Sequence, residues 1–162
     1  MPPSFDPPRP MTSGDDGTAF DCGQPDLDDY LRRRAWPNHR DGASRCYVAT
    51  CEGRVVGFYA LSAGNVYRAT MPGRVRRNMP DPLPVIVLTR LGVDRRLQGS
   101  GLGAGLFKDA VLRAQQAAAL VGARALVVHA IDASAQAFYE HFDFQPALDD
   151  PRHLFRPLPP QT

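Results

Sequence analysis

The chain has 162 residues, 43% of them hydrophobic, with 19 basic and 17 acidic residues and a net charge of +2, which suits one ordinary-sized domain with a single core. It has no run of about 18 apolar residues and its N-terminus is Pro-rich and polar, which argues against a membrane span or signal peptide and for a soluble, cytoplasmic protein. Three cysteines (Cys22, Cys46, Cys51) without Cys-x-x-Cys spacing, and four histidines without ligand spacing, predict reduced thiols and no metal.

Residues 1–18 mix prolines, glycines and acids without periodicity, so a mobile N-terminal tail is expected, then one folded domain over 19–158 and a Pro-rich C-terminal tail at 159–162. Pro25 and Asp26 suit a helix start, Asp28 and Asp29 favour its first turn, and Leu27, Tyr30, Leu31 and Ala35 repeat at helical spacing. Arg32, Arg33 and Arg34 then fall mostly on the open face, and Pro37 kinks or breaks any helix that reaches Arg40. Arg45 to Cys51 and Val55 to Leu61, joined by Glu52-Gly53-Arg54, read as a hairpin. Residues 62–84 are rich in Arg, Pro and Gly, which predicts a long loop carrying Arg68, Arg74, Arg76 and Arg77 at the lip of a substrate groove. Val85 to Val93 is an apolar, β-branched strand. Leu106, Ala110, Val111, Ala114, Ala118 and Val121 mark one face of a helix closed by Gly122. A buried strand at Ala125 to His129, a helix at Ala133 to His141 and a terminal strand at His153 to Leu158 complete the chain. This order predicts an α/β (α+β) fold, a mixed sheet with helices on both faces.

The most informative stretch joins the central strand to its helix: Arg95-Arg96-Leu97-Gln98-Gly99-Ser100-Gly101-Leu102-Gly103. Glycines at a helix entrance let the backbone approach a ligand closely, and its N–H groups converge on an anion at the positive end of the helix dipole. A phosphate or pyrophosphate is therefore expected. A P-loop is ruled out, because Lys108, the only lysine, is misplaced for it. Gly99, Gly101 and Ala104 satisfy the dinucleotide spacing, but residues 117–128 contain no acid to hold a ribose.

What remains is Gln98-x-x-Gly101-x-Gly103 after a strand and two arginines, together with Asp132-Ala-Ser-Ala-Gln-Ala-Phe-Tyr139-Glu-His-Phe-Asp-Phe144 further on. This pair of motifs resembles the GNAT family of N-acetyltransferases over residues 45–158. The resemblance implies a mixed, mostly antiparallel central sheet and acetyl-CoA as co-substrate, without a metal. It also implies a pantetheine arm paired with the backbone of Leu91, Gly92 and Val93. The pyrophosphate would lie on the N–H groups of Gln98, Gly99, Ser100, Gly101, Leu102 and Gly103, with Asp132 and Phe138 near the cofactor. Family members place a tyrosine where Tyr139 stands, beside the thioester sulfur. A phenol of pKa about 10 can protonate the departing thiolate. Asp132 stands where the family more often has Asn, and Asp143 where it has Gly. Of the conceivable general bases, Glu52, His129 and Asp132 read better as turn, strand and helix-cap residues. An α-amine acceptor of pKa about 8 needs little help from a base, whereas a lysine side chain would need one.

A narrower set adds Phe20-Asp-Cys-Gly23, Leu27-x-x-Tyr30-Leu31, Gly57-Phe-Tyr-Ala-Leu-Ser62 and Arg90-Leu-Gly-Val-Asp94. Over residues 20–158 these are similar to the acetyltransferase toxins of bacterial toxin-antitoxin pairs. That resemblance implies acetylation of the α-amine of aminoacyl-tRNA, a block of translation, and a ribbon-helix-helix antitoxin as partner; a homodimer stays open. Residues 31–96 hold 13 basic residues against 4 acids, a local balance of +9 that leaves the rest at −7. Arg32, Arg33, Arg34, Arg74, Arg76, Arg77 and Arg90 could thus contact tRNA phosphates, or be merely solvated. The alternatives are an acetyltransferase for a small amine or protein N-terminus, and a non-catalytic acetyl-CoA-binding module.

Overall fold

The structure, a computed structural model, describes residues 5–71 and 73–159, with the side chains of residues 74 and 75 left undescribed. Among the described residues, seven strands form a sheet in the order β1-β2-β3-β4-β5-β7-β6. The chain divides into two compact units, one running up to Ser62 and resuming over Thr89–Ala110, the other formed by Ala63–Leu88 and the chain from Val111 on.

The first unit begins with β1 (Arg9–Pro10), which pairs antiparallel with β2 (Arg45–Cys51); β2 in turn pairs antiparallel with β3 (Arg54–Val66). The N-terminal stretch expected to be a mobile tail is, where described, part of this unit. Asp6 N–H donates to Thr50 O at 2.8 Å, Met11 is buried, and Arg9 pairs with Asp15 at 2.7 Å. A two-residue strand held by backbone bonds carries no hydrophobic period, so composition alone reads it as tail. Helix α1 (Pro25–Arg33) starts with its proline at N1 and ends where Arg34 N–H donates to Tyr30 O. Helix α2 (Ala35–Asp41) follows directly. The break falls at Arg34, and Pro37 sits within the first turn of α2, where a missing N–H costs no helical bond. Phe20, Tyr30, Leu31, Ala35, Cys46, Val48, Val55, Phe58 and Ala60 form the core of this unit.

The second unit contains the start of β4 (Leu83–Val93), which pairs parallel with β5 (Ala125–His129) from Val85↔Ala125 to Leu88↔Val128. β5 pairs antiparallel with β7 (His153–Pro157), and β7 with β6 (Gln145–Pro146), a short strand the sequence did not reveal. The expected loop over 62–84 is shorter than predicted, because β3 continues to Val66 and a 3₁₀ turn (Arg68–Thr70) and helix α3 (Gly73–Arg76) follow. Met71 is fully buried with Leu83, Val85, Val127 and Phe155, which anchors the connection. Helix α4 (Leu102–Val121) and helix α5 (Ala133–His141) match their predicted spans closely. Among the described residues, no helix is long and apolar enough to cross a membrane.

How α4 begins depends on a glycine in β3. A Cβ at Gly57 would lie 2.9 Å from Leu106 Cδ1 and 3.0 Å from Leu102 Cδ2, and both leucines are buried in the first turns of α4. The missing side chain lets the helix entrance seat against the strand. Gly57→Val should therefore cost about 1–3 kcal/mol of stability by overpacking, read as a lower midpoint with an unchanged slope in urea unfolding.

Candidate active site

The glycine turn is built on Asp94, which directly follows β4 and is almost completely buried. Its N–H donates to Val56 O at 2.9 Å, so the end of β4 is tied to β3. Its carboxylate accepts from Arg96 N at 3.0 Å and from the Arg96 guanidinium at 3.0 and 3.1 Å, with a longer bond from Asp21 N at 3.4 Å. Burial by itself would raise the pKa of this carboxyl, but those hydrogen bonds and the Arg96 charge outweigh it and hold the group below the ordinary aspartate value. A 3₁₀ turn (Arg95–Leu97) then leads to Gln98, whose side-chain amide donates to Cys22 O at 3.1 Å and Val93 O at 3.0 Å.

Two of the six amides assigned to pyrophosphate are used by the turn itself. Gln98 N–H donates to Arg95 O at 3.4 Å and Ser100 N–H to Leu97 O at 3.2 Å. Those of Gly99, Gly101, Leu102 and Gly103, and of Ala104 beside them, have no protein acceptor among the described residues. Gly99 and Gly101 adopt φ of +82° and +92°, and a Cβ at either would point into open space. These glycines therefore serve backbone shape rather than packing, and what they shape is a run of amides without a protein acceptor at the positive end of a 20-residue helix. Arg95 and Arg96 are paired with Asp21 at 3.2 Å and Asp94 at 3.0 Å.

Upstream, Leu91 and Val93 are half-buried and Gly92 is buried. A Cβ on Gly92 would come within 3.1 Å of the Phe58 ring and 3.4 Å of Phe20, so this glycine admits the aromatic core. Of the predicted RNA-binding arginines in this unit, Arg34 is exposed, Arg33 pairs with Asp29 at 2.9 Å, and Arg32 donates to Phe20 O at 3.2 Å. Arg90 lies over the Tyr30 ring.

In the second unit, Asp132 caps α5, its carboxylate accepting from Ala135 N at 2.8 Å. The helix ends at Phe142, after which Asp143 takes φ +70°, a conformation Asp tolerates in place of glycine. Tyr139 is buried among aromatic rings, 5.2 Å from Phe138 and 5.5 Å from Phe144 between centroids. Burial pushes its phenol pKa well above the usual value, so the group keeps its proton. His129 is exposed and lies 3.7 Å from Asp150. Arg76 and Arg77 are exposed and line a polar depression with Arg68, Asn78 and Asp81; the side chain of Arg74 lies outside the described residues. Among the described residues no group of three or more His, Cys, Asp or Glu could hold a metal ion, and all three cysteines are free.

The acetyltransferase (GNAT) domain matches residues 42–146 of this chain. The chain belongs to the GNAT family. A tRNA-acetylating toxin of Mycobacterium tuberculosis is 58% identical over 147 residues, covering 91% of this GNAT chain and 89% of its own length. The solved structure of AtaT complexed with acetyl-methionyl-tRNAfMet has a TM-score of 0.87 at 30% identity, covering 95% of each chain. A mutant AtaT toxin bound to the C-terminus of the antitoxin AtaR and acetyl-CoA has a TM-score of 0.80 at 28% identity, covering 95% of this chain and 93% of that one.

The residue that sequence reasoning undervalued is Asp94, quoted only as the end of a motif. A polar cap residue between a strand and a basic turn was the available signal. Its depressed pKa means that it stabilises the fold fully above about pH 4 and that this contribution is lost as pH falls through the lower, folded-state pKa. Asp94→Asn should be less stable than the parent at pH 7 by about 1–3 kcal/mol. The gap should narrow below about pH 4, a pattern readable from urea unfolding across a pH series.

Proposed function

We propose that this GNAT protein is an acetyl-CoA-dependent N-acetyltransferase that acetylates the α-amine of aminoacyl-tRNA and so stops translation. The observation that carries the cofactor assignment is the run of amides from Gly99 and Gly101 to Ala104, at the start of α4, without a protein acceptor among the described residues, which suits a pyrophosphate. The substrate class is supported by the 58%-identical relative named as a tRNA-acetylating toxin and by the AtaT structure complexed with acetyl-methionyl-tRNAfMet. The cofactor supplies an activated thioester. The chain's own residues do the rest: backbone groups of Leu91, Gly92 and Val93 take the pantetheine arm. The end of the β4–β5 ladder at Leu88↔Val128, before these residues, supports this. Gly99, Gly101, Leu102 and Gly103 hold the diphosphate, Phe138 packs beside the cofactor, and Tyr139 gives a proton to the departing thiolate. Asp132 acts through the helix it caps, and Gln98 and Ser100 act by shaping the turn.

Arg32, Arg33, Arg34, Arg74, Arg76, Arg77 and Arg90 supply salt-dependent attraction for the tRNA backbone. The protein works in the cytoplasm, where its substrate is, and is silenced by an antitoxin of the ribbon-helix-helix class. The AtaT complex with antitoxin AtaR supports an antitoxin partner.

Two measurements test this reading. Tyr139→Phe should lower kcat by about a hundred- to ten-thousand-fold while calorimetric binding of acetyl-CoA is retained; unchanged turnover would remove the acid role. Reversing Arg34, Arg76 and Arg77 to Glu should raise KM for aminoacyl-tRNA and leave acetyl-CoA binding alone. Equal loss of both would assign the arginines to the cofactor or the fold.

A further inference from the structure

Several exposed arginines of the first unit are neutralised locally: Arg33 by Asp29, Arg40 by Asp41, Arg95 by Asp21 and Arg96 by Asp94. Arg90 is also exposed, but among the described residues it has no carboxylate partner. It is nonetheless held in place. Its Cζ lies 4.7 Å from the centroid of the Tyr30 ring, and its Nη1 donates to Thr89 O at 2.8 Å.

The ring beneath it is itself fixed on three sides. Tyr30 is buried and stacks on Phe58, with centroids 6.2 Å apart and planes within 13°. Its hydroxyl is hydrogen-bonded to buried Ser44 at 3.1 Å and accepts from Asn38 Nδ2 at 3.4 Å. A guanidinium laid on an aromatic face keeps its donor edge free for a planar, two-point grip on an anion, and its ordering cost is met before the ligand arrives. Arg90 also comes immediately before Leu91-Gly92-Val93 in β4, the backbone assigned to the pantetheine arm, so in sequence it sits next to the reacting end of the cofactor.

We propose that Arg90 is a preset grip for a phosphodiester near the 3′ end of the aminoacyl-tRNA, and that Tyr30 is the residue that positions it. The proposal rests on the tRNA-acetylating reading and adds a division of labour to it. Arg34, Arg76 and Arg77 attract the RNA diffusely, whereas Arg90 fixes where the acceptor end lies. A lysine keeps the charge but has no planar fork and stacks poorly, so charge alone does not replace Arg90.

The test is steady-state kinetics with aminoacyl-tRNA across a salt series, set beside an aminoacyl-nucleoside acceptor that has no phosphodiester. Activity of the parent protein on aminoacyl-tRNA is the first readout; its absence overturns the tRNA reading itself and this proposal with it. Given that activity, Arg90→Lys and Tyr30→Leu should each raise KM for aminoacyl-tRNA about tenfold with kcat, acetyl-CoA binding and the salt slope retained. Arg90→Ala should raise KM and also lower the slope of log KM against log salt by about one. Tyr30→Phe, which keeps the ring, should retain the parent KM, and Arg90→Lys combined with Tyr30→Leu should be no worse than either alone. None of these changes should alter KM for the phosphate-free acceptor. KM values within twofold of the parent for Arg90→Lys, additive losses in the double variant, or equal losses on the phosphate-free acceptor would each overturn the assignment. An unchanged melting temperature for Arg90→Lys, and Tyr30→Phe as the conservative control, keep a folding defect from passing as a binding one.

Discussion

Buried Asp94, through its carboxylate and its backbone N–H, joins three segments that are far apart in sequence. Its backbone N–H bonds to Val56 in β3, its oxygens hold the Arg96 amide and guanidinium, and Asp21 ahead of α1 reaches it from the other side. Arg95 N–H bonds back to Asp21 O at 2.8 Å and Gln98 bridges Cys22 to Val93. The glycine turn therefore has a rigid floor, even though two of its own residues have no side chain and occupy the left-handed region. Flexibility at Gly99 and Gly101 would be costly for ligand binding if the turn had to be ordered each time. With its floor fixed, the turn is ordered by folding, which suits the anion-binding role proposed for it.

Glycines in this chain do two separate jobs, and spacing alone cannot tell them apart. Gly99 and Gly101 take positive φ with empty space where a Cβ would be, so the backbone conformation is what requires them. Gly57 and Gly92 have no positive φ, and instead the space is taken by Leu102 and Leu106 in one case and by Phe58 and Phe20 in the other. The same residue type thus shapes the turn and closes a core around it. Replacing either kind damages the site by a different route: strain in the first, displacement of a helix entrance or an aromatic cluster in the second.

Long periodic elements were legible because burial writes a period into the sequence. The apolar run of β4, the helical face of α4 and the first strand and turn of the hairpin around Glu52-Gly53 came out close to their observed limits, whereas its second strand runs five residues further, to Val66. β1 and β6 were invisible because two residues cannot show alternation, and their place in the sheet comes from backbone bonds that any side chain permits. The stretch 62–84 looked like a loop because its anchor is one buried methionine, Met71, rather than a repeated pattern. The turn itself was readable from its glycines, but the hydrogen bonds that Gln98 and Ser100 make within it were not. Whether an amide faces outward or into its own turn depends on dihedral angles that spacing does not encode.

The same limits apply to the acid-base chemistry. The family's register points to Tyr139 for the proposed proton transfer, but spacing alone says nothing of its protonation. Among Phe138 and Phe144 the Tyr139 phenolate is disfavoured, so this residue keeps its proton, which suits the donor role proposed for it. A thiol leaving group shielded from water in the same way also becomes more basic, which narrows the gap between donor and acceptor. The groups that might have acted as base have other positions. Glu52 is exposed at a hairpin turn with φ +52°, Asp132 caps α5, and His129 stands beside Asp150. The proposed donor, with no base among these three groups, suits an acceptor that arrives partly neutral. The α-amine of an aminoacyl ester, with its pKa near 8 or below, meets that requirement, and a lysine side chain near 10.4 does not.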